Sequence, residues 1–196
     1  SIFLVQNWGG FDYLQWNIPA WSISAEFAAY IICPLLIVIG VSPLVGRRWW
    51  LVAMIALLSG LIGLVFKISG EQSIGGAIPS TGLIRCVIEF WIGLCLGGIS
   101  QKTVTDSDWG PLLRTAGIFF SVVAFVVLFN NKINDYWFVP LLFALLVYAL
   151  SVGDVLFSKI LEINAIHYLG VISYSTYLGH FFVKDWVKFL SQSIGL

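Results

Sequence analysis

Charged residues are scarce in this chain of 196 residues, where Asp, Glu, Lys and Arg make up only 10% and the net charge is zero. Soluble domains carry about a quarter charged residues, whereas 59% of this chain is hydrophobic. The composition therefore excludes an ordinary soluble domain and predicts an integral membrane protein. The chain has no basic tract that could hold a phosphate backbone, which excludes nucleic acid as a partner.

Cysteine is also rare, with three residues that all lie within apolar runs, Cys33, Cys86 and Cys95. Their odd number argues against a disulfide framework, and their spacing does not fit a metal site. We therefore expect buried, unreactive thiols and no bound metal.

Long apolar runs are what the sequence has in abundance. A helix needs about 20 mostly apolar residues to span the ~30 Å hydrocarbon core of a bilayer. Lipid offers no hydrogen-bond partners to the backbone, and the runs lack the alternation of a barrel strand, so we expect helices. Six runs approach the required length: residues 27–45, 49–67, 83–100, 112–130, 136–153 and 169–190. The sequence predicts an all-α fold, a polytopic membrane bundle of about six transmembrane helices.

The connections between these runs are too short for an extramembrane domain, so we expect residues 1–196 to form a single transmembrane domain. The chain starts at Ser1 without Met, a basic amino-terminal region or a signal-peptide cleavage site. This pattern predicts an amino-terminally truncated piece of a longer polypeptide.

Three charged residues near predicted helix starts are candidates for function, because a charge at membrane depth is costly unless it is paired or used. Glu26 and Arg85 are predicted to open two helices on the same membrane face, where they could contact each other. Glu89 follows Arg85 by four residues, so a local ion pair on one helix face is the alternative. Together the three could form a polar pocket for an anionic head group or a sugar hydroxyl.

His180 is the other unusual polar group, predicted near the middle of the sixth run. Ser173 and Tyr177 precede it on roughly the same helix face. These hydroxyls could orient the imidazole or contact a substrate. The alternative is a buried, neutral histidine that is hydrogen-bonded to one of them.

Three segments resemble motifs of the acyltransferase 3 family, which comprises multi-pass membrane enzymes. The first includes Trp21-Ser22-Ile23-Ser24-Ala25-Glu26, the second begins at Arg85, and the third ends at His180. They cover residues 17–30, 85–94 and 169–180 and occur in the family's order. The early helices of the family, which carry a basic residue and a histidine considered catalytic, have no counterpart here, so the resemblance implies further helices of the same polypeptide as partners.

The resemblance implies transfer of an acyl group, commonly acetyl from acetyl-CoA, to a hydroxyl of a carbohydrate or another surface-associated acceptor. It implies no cofactor besides the acyl-CoA donor, and a location in the bacterial cell (inner) membrane. His180 and Glu26 are the catalytic candidates, with Glu26 expected to organise the pocket and the general base expected upstream. The substrate-binding candidates are Trp21, Ser22, Arg85, Glu89, Ser173, Tyr174 and Tyr177.

Two other functions are compatible with the same polar groups. In a transporter or flippase-like bundle, buried Glu, Arg and His side chains would line a proton or substrate path. Broken helices in paired halves would favour that function, and the sequence shows none. In a structural subunit, Glu26, Arg85 and Glu89 would form ion pairs that fix the helix register.

Overall fold

The computed structural model describes residues 5–8, 19–44, 47–76, 78–100, 110–130, 133–151, 159 and 162–194. These residues form helices and connections, and no strand occurs among them. The α-helices are α1 Ala20–Leu35, α2 Arg48–Ile68, α3 Ile78–Ser100, α4 Gly110–Asn130, α5 Val139–Ser151 and α6 Asn164–Ile194. The prediction of an all-α membrane bundle is confirmed.

Three segments are long and apolar enough to cross a bilayer by length and composition, namely Ala20–Leu44, Arg48–Ile68 and Ile78–Ile99. In α4 and α5, the parts whose side chains the structure describes are also apolar, over Gly117–Asn130 and Val139–Leu150. α6 has sufficient length, but hydroxyl side chains, His180 and two lysines make it more polar than these three. The protein is thus an integral membrane protein, with at least three described helices that are long and apolar enough to span a bilayer.

Three helices begin five or more residues earlier than the apolar runs predicted. α1 starts at Ala20 instead of residue 27, α3 at Ile78 instead of residue 83, and α6 at Asn164 instead of residue 169. The polar or small residues that open each helix, such as Ser22 and Thr81, do not interrupt the backbone hydrogen bonding. Glu26 and Arg85 consequently lie inside their helices, about 9 and 10 Å from the first residue, and not at the helix entrance.

α1 changes its winding near its end. Pro34 has no N–H group to donate within the helix, and the segment Leu36–Val41 continues as a π-helix before the short 3-10 helix Ser42–Leu44. Gly40 in the π-helical part lies against the ring of Trp91, since a Cβ atom at Gly40 would be 2.4 Å from that ring. The wide turn therefore accommodates an indole from α3.

α3 is the central helix and packs against α1, α2 and α5. Its buried side chains, like those of α2, recur every three or four residues, which places them on one face of each helix. They are Leu51, Ile55, Leu58, Ile62 and Phe66 on α2, and Ile88, Ile92, Cys95 and Ile99 on α3. This α2–α3 interface fixes the position of Arg85.

The three cysteines are free, but only Cys95 is buried, because Cys33 and Cys86 lie outside this interface.

α2 ends at a glycine that requires a left-handed backbone. Gly70 has φ +74°, and the N–H groups of Gly70 and Glu71 donate to the carbonyls of Lys67 and Phe66 at 3.3 and 3.2 Å. This is the Schellman arrangement that closes a helix. It turns the chain into the loop 69–76, which leads back to α3.

α4 packs mainly against α5. α6 makes few contacts with the other described helices, and none of its described side chains is buried. Most of the surface of α6 is therefore available to lipid, to substrate or to other protein segments.

Candidate functional site

Arg85 lies at the centre of a cluster of polar and aromatic groups, with its side chain 16% exposed. Its Nη1 donates to the carbonyl of Ile74, and its Nε lies 3.8 Å from Oε1 of Glu89. Its guanidinium lies 5.2 Å from the centroid of the Trp21 ring, a cation–π distance. The guanidinium is therefore oriented by groups from α1, α3 and the α2–α3 loop.

The Nε atom of Arg85 is buried and has no hydrogen-bond partner. At 3.8 Å the Glu89 carboxylate attracts the charge, but it is too distant for a hydrogen bond. A guanidinium offers five N–H donors, so Arg85 retains donor capacity that a ligand oxygen could use.

Among the described residues, Arg85 forms its ion pair with Glu89 on the same helix and not with Glu26. The half-buried carboxylate of Glu26 instead interacts electrostatically with Cys86 of α3 and Tyr174 of α6. The charges of Arg85 and Glu89 also act on Cys86. The three charged groups thus lie near Cys86, in one region, but without the direct Glu26–Arg85 contact that the sequence predicts.

His180 is exposed on α6, and its Nδ1 contacts the backbone carbonyl of Tyr177. A carbonyl oxygen can only accept, so Nδ1 is the donor, and in the neutral form of the ring Nε2 would keep its lone pair. The ring also lies 4.7 Å from that of Phe181, centroid to centroid. The alternative of a buried histidine bonded to a hydroxyl is wrong, because His180 is exposed and its partner is a carbonyl.

The hydroxyl residues of α6 lie on more than one face. Ser173 donates to the carbonyl of Gly170 at 2.7 Å, so its hydroxyl proton is satisfied within the helix. Tyr174 interacts electrostatically with Glu26 and Tyr30, both on α1. Six residues along an α-helix correspond to about 9 Å and about 120° of rotation, so His180 projects from a different side of α6 than Tyr174.

Residues 1–195 match the sequence model of the acyltransferase 3 family, which describes an acyltransferase domain. The chain belongs to this family. A search of curated proteins gave no match, and neither did a search of solved structures. The family resemblance of the three motifs is confirmed, and the roles of the individual site residues stay predictions.

In this acyltransferase the first described residues hold the amino-terminal end of α1. The Trp8 indole N–H donates to the carbonyl of Ser24 at 3.0 Å, and the Gln6 amide donates to the carbonyl of Ala20 at 2.9 Å. The Ser22 hydroxyl donates to the carbonyl of Pro19 at 3.1 Å. Ser22 is therefore occupied locally as a donor, and its oxygen remains available as an acceptor.

Asn7 is a candidate that the sequence analysis missed. It is 2% exposed, yet neither polar atom of its carboxamide has a hydrogen-bond partner. The carboxamide and the Trp21 ring both lie against Gly82, where a Cβ atom would be 3.0 Å from Asn7 Nδ2 and 3.2 Å from Trp21. An unsatisfied buried amide costs about 1–3 kcal/mol, which a polar ligand group could offset. Asn7 precedes the first apolar run and matches none of the three motifs, so no pattern indicated it.

Asp135 connects the Arg85 cluster to the start of α5. Its Oδ1 accepts from the N–H of Ile74 at 2.7 Å, and its Oδ2 accepts from the hydroxyl of Ser73 at 3.0 Å. The carbonyl of the same Ile74 accepts from Arg85. Asp135 therefore fixes the loop segment that holds the guanidinium.

We expect Asp135→Ala to lower the free energy of unfolding by about 1–3 kcal/mol, because it leaves a backbone N–H without its acceptor. Thermal unfolding of the purified protein in detergent measures this change. Ser73→Ala is the matched control, since it removes the hydroxyl bond to Asp135 and the 3.3 Å bond from the N–H of Gly75, but keeps the bond from Ile74 N–H to Asp135. Equal melting temperatures for the two variants would contradict the role of Asp135.

Among the described residues, no group of three His, Cys, Asp or Glu side chains could hold a metal ion. The polar groups that the structure brings together are those of Trp21, Glu26, Arg85 and Glu89, with Asn7 beside Trp21 and Tyr174 beside Glu26. This set offers a cation, two carboxylates, an amide and a phenol within an apolar bundle. It can bind a hydroxyl or an anionic group beside the α2–α3 loop.

Proposed function

We propose that this acyltransferase moves an acetyl group from acetyl-CoA to a hydroxyl of a carbohydrate or another surface-associated acceptor, in the bacterial inner membrane. The reaction is O-acetylation, and modification of a polysaccharide is the biological outcome that we propose. The observation that carries the proposal is the orientation of His180, whose Nδ1 is occupied by a carbonyl while Nε2 is free to accept a proton.

The chemistry requires a base because a neutral hydroxyl is a poor nucleophile. The family resemblance implied a general base upstream of these residues; we propose instead that His180 has this role. Its Nε2 accepts the proton of the acceptor hydroxyl as the hydroxyl oxygen attacks the thioester carbonyl. The tetrahedral intermediate then expels the thiolate of coenzyme A, which takes the proton from the imidazolium. The products are an ester and free coenzyme A, and the histidine returns to its neutral form.

The other polar residues bind and orient the reactants in this proposal. The positive charge of Arg85 attracts the anionic acyl-CoA. Its guanidinium also holds the indole of Trp21 in place through the cation–π contact. Glu26 orients the pocket by accepting from hydroxyl groups, with Tyr174 beside it. The free carboxamide of Asn7 can both donate to and accept from a substrate hydroxyl.

Transfer of labelled acetyl groups in membranes that contain the protein tests this function. Membranes incubated with radiolabelled acetyl-CoA should accumulate label in a form that hydroxylamine releases, as expected for an ester. Label that enters vesicles unchanged would favour the transporter instead. Absence of both ester and transport activity would favour the structural subunit.

A further inference from the structure

An open groove of about 420 Å³ runs along the surface between α3 and α5. Arg85 and Glu89 lie at one end, next to Ile74 of the α2–α3 loop. The walls are apolar and include Ile92 and Leu96 on α3. On α5 they include Phe143 and Val147, which are half or more exposed. The groove therefore combines one charged end with a long apolar channel.

Gly93 gives the groove room on the α3 side. No atom lies within 4 Å of the position that a Cβ at Gly93 would occupy, and Gly93 is one of the lining residues. The four-residue spacing of Gly93 and Gly97 is typical of a helix-packing motif. At Gly93 the structure shows open space instead of a packed helix, so the small residue leaves room for a ligand.

The length of the groove matches one leaflet of a bilayer. Arg85 and Leu96 are eleven residues apart on α3, which corresponds to about 16 Å along the helix axis. Half of the ~30 Å hydrocarbon core is about 15 Å. The charged end lies at the polar loop, because the guanidinium donates to the carbonyl of Ile74. A lipid with its head group at Arg85 would thus extend one acyl chain along the channel.

The charges at the Arg85 end of the groove select between lipid head groups. Both residues line the groove, and the side chain of Arg85 is 16% exposed and that of Glu89 43%. A purely anionic head group would satisfy the arginine but be repelled by the glutamate. A head group with a phosphate and a primary ammonium complements both charges and supplies hydrogen bonds to each.

We infer that this groove binds phosphatidylethanolamine, with one acyl chain between α3 and α5, its phosphate at Arg85 and its ammonium at Glu89. Trp21 does not line the groove, so the lipid approaches the guanidinium from a different side than the candidate acyl-transfer site. Binding of this lipid does not depend on the proposed reaction and can be measured without an acyl donor.

Native mass spectrometry of the delipidated protein in detergent tests the inference, with dioleoyl-phosphatidylethanolamine and dioleoyl-phosphatidylglycerol as probes. We expect the first to bind about tenfold more tightly, since one charge-assisted contact is gained and one repulsion avoided. Glu89→Gln should abolish this preference. Equal affinities for the two lipids in the wild-type protein would overturn the inference.

The position of the chain is tested separately with Gly93→Leu, which fills the groove. We expect about tenfold weaker binding of phosphatidylethanolamine, because the acyl chain loses buried contacts with the groove walls. Gly60→Leu is the matched control, since Gly60 is an exposed glycine on α2 that also has open space around it. Should Gly93→Leu fail to fold, Val147→Phe obstructs the groove from α5. Unchanged affinity in the folded groove variant would show that the lipid does not bind there.

Discussion

Replacement of Arg85 by lysine is expected to reduce acyl transfer about 100-fold while the protein remains folded. Lysine keeps the positive charge but lacks the planar, multidentate guanidinium. It cannot face the Trp21 ring, donate to Ile74 and approach Glu89 in the same way. Loss of one charge-assisted hydrogen bond and one cation–π contact amounts to about 2–4 kcal/mol.

Initial rates of ester formation in matched membranes measure this effect, with protein amount and circular dichroism as checks on folding. Arg47→Lys is the control, because Arg47 is exposed just before α2. We expect the control to retain the wild-type rate. A rate for Arg85→Lys within twofold of wild type would show that charge alone is required at this position, and the oriented cluster would then have no role in transfer.

Replacement of His180 by alanine is expected to reduce the maximal rate by about 10²–10⁴-fold, the usual contribution of a general base. The Michaelis constant for the donor should change little, because the imidazole acts on the acceptor hydroxyl in the transition state. The side chain is exposed and its hydrogen bond is to its own helix, so we expect normal folding.

His167→Ala is the matched control for His180. Both histidines are exposed on α6, and thirteen residues of helix separate them by about 20 Å. The activity assay should therefore distinguish the two. If both variants keep full activity, His180 is not the base. If both lose it equally, α6 has a structural role that neither imidazole explains.

The helices could be predicted from the sequence because their apolar runs are long and uninterrupted. The starts of α1, α3 and α6 could not, because residues such as Ser22, Thr81 and Asn164 do not continue the apolar pattern although they are helical. α6 was predicted as a span, but its hydroxyls and charges make it more polar than the three apolar segments.

The composition of the candidate site was predicted better than its contacts. Glu26, Arg85 and Glu89 occupy one region as expected, since charged residues in an apolar bundle are few and must be accommodated together. The sequence indicated a glutamate as a possible ion-pair partner of Arg85. It did not indicate that the Trp21 ring would face the guanidinium, because cation–π contacts have no fixed spacing in sequence. The sequence did not indicate Asn7, because the burial of a single amide side chain depends on segments that are distant in the sequence.

Purified protein in proteoliposomes, supplied with acetyl-CoA and a carbohydrate acceptor, tests the central claim most directly. The measurement is the release of free coenzyme A thiol together with the formation of a hydroxylamine-sensitive ester. We predict that both appear in equal amounts, depend on the acceptor and are lost in His180→Ala but not in His167→Ala. Thiol release without an ester, or an ester that forms equally well in His180→Ala, would contradict the account.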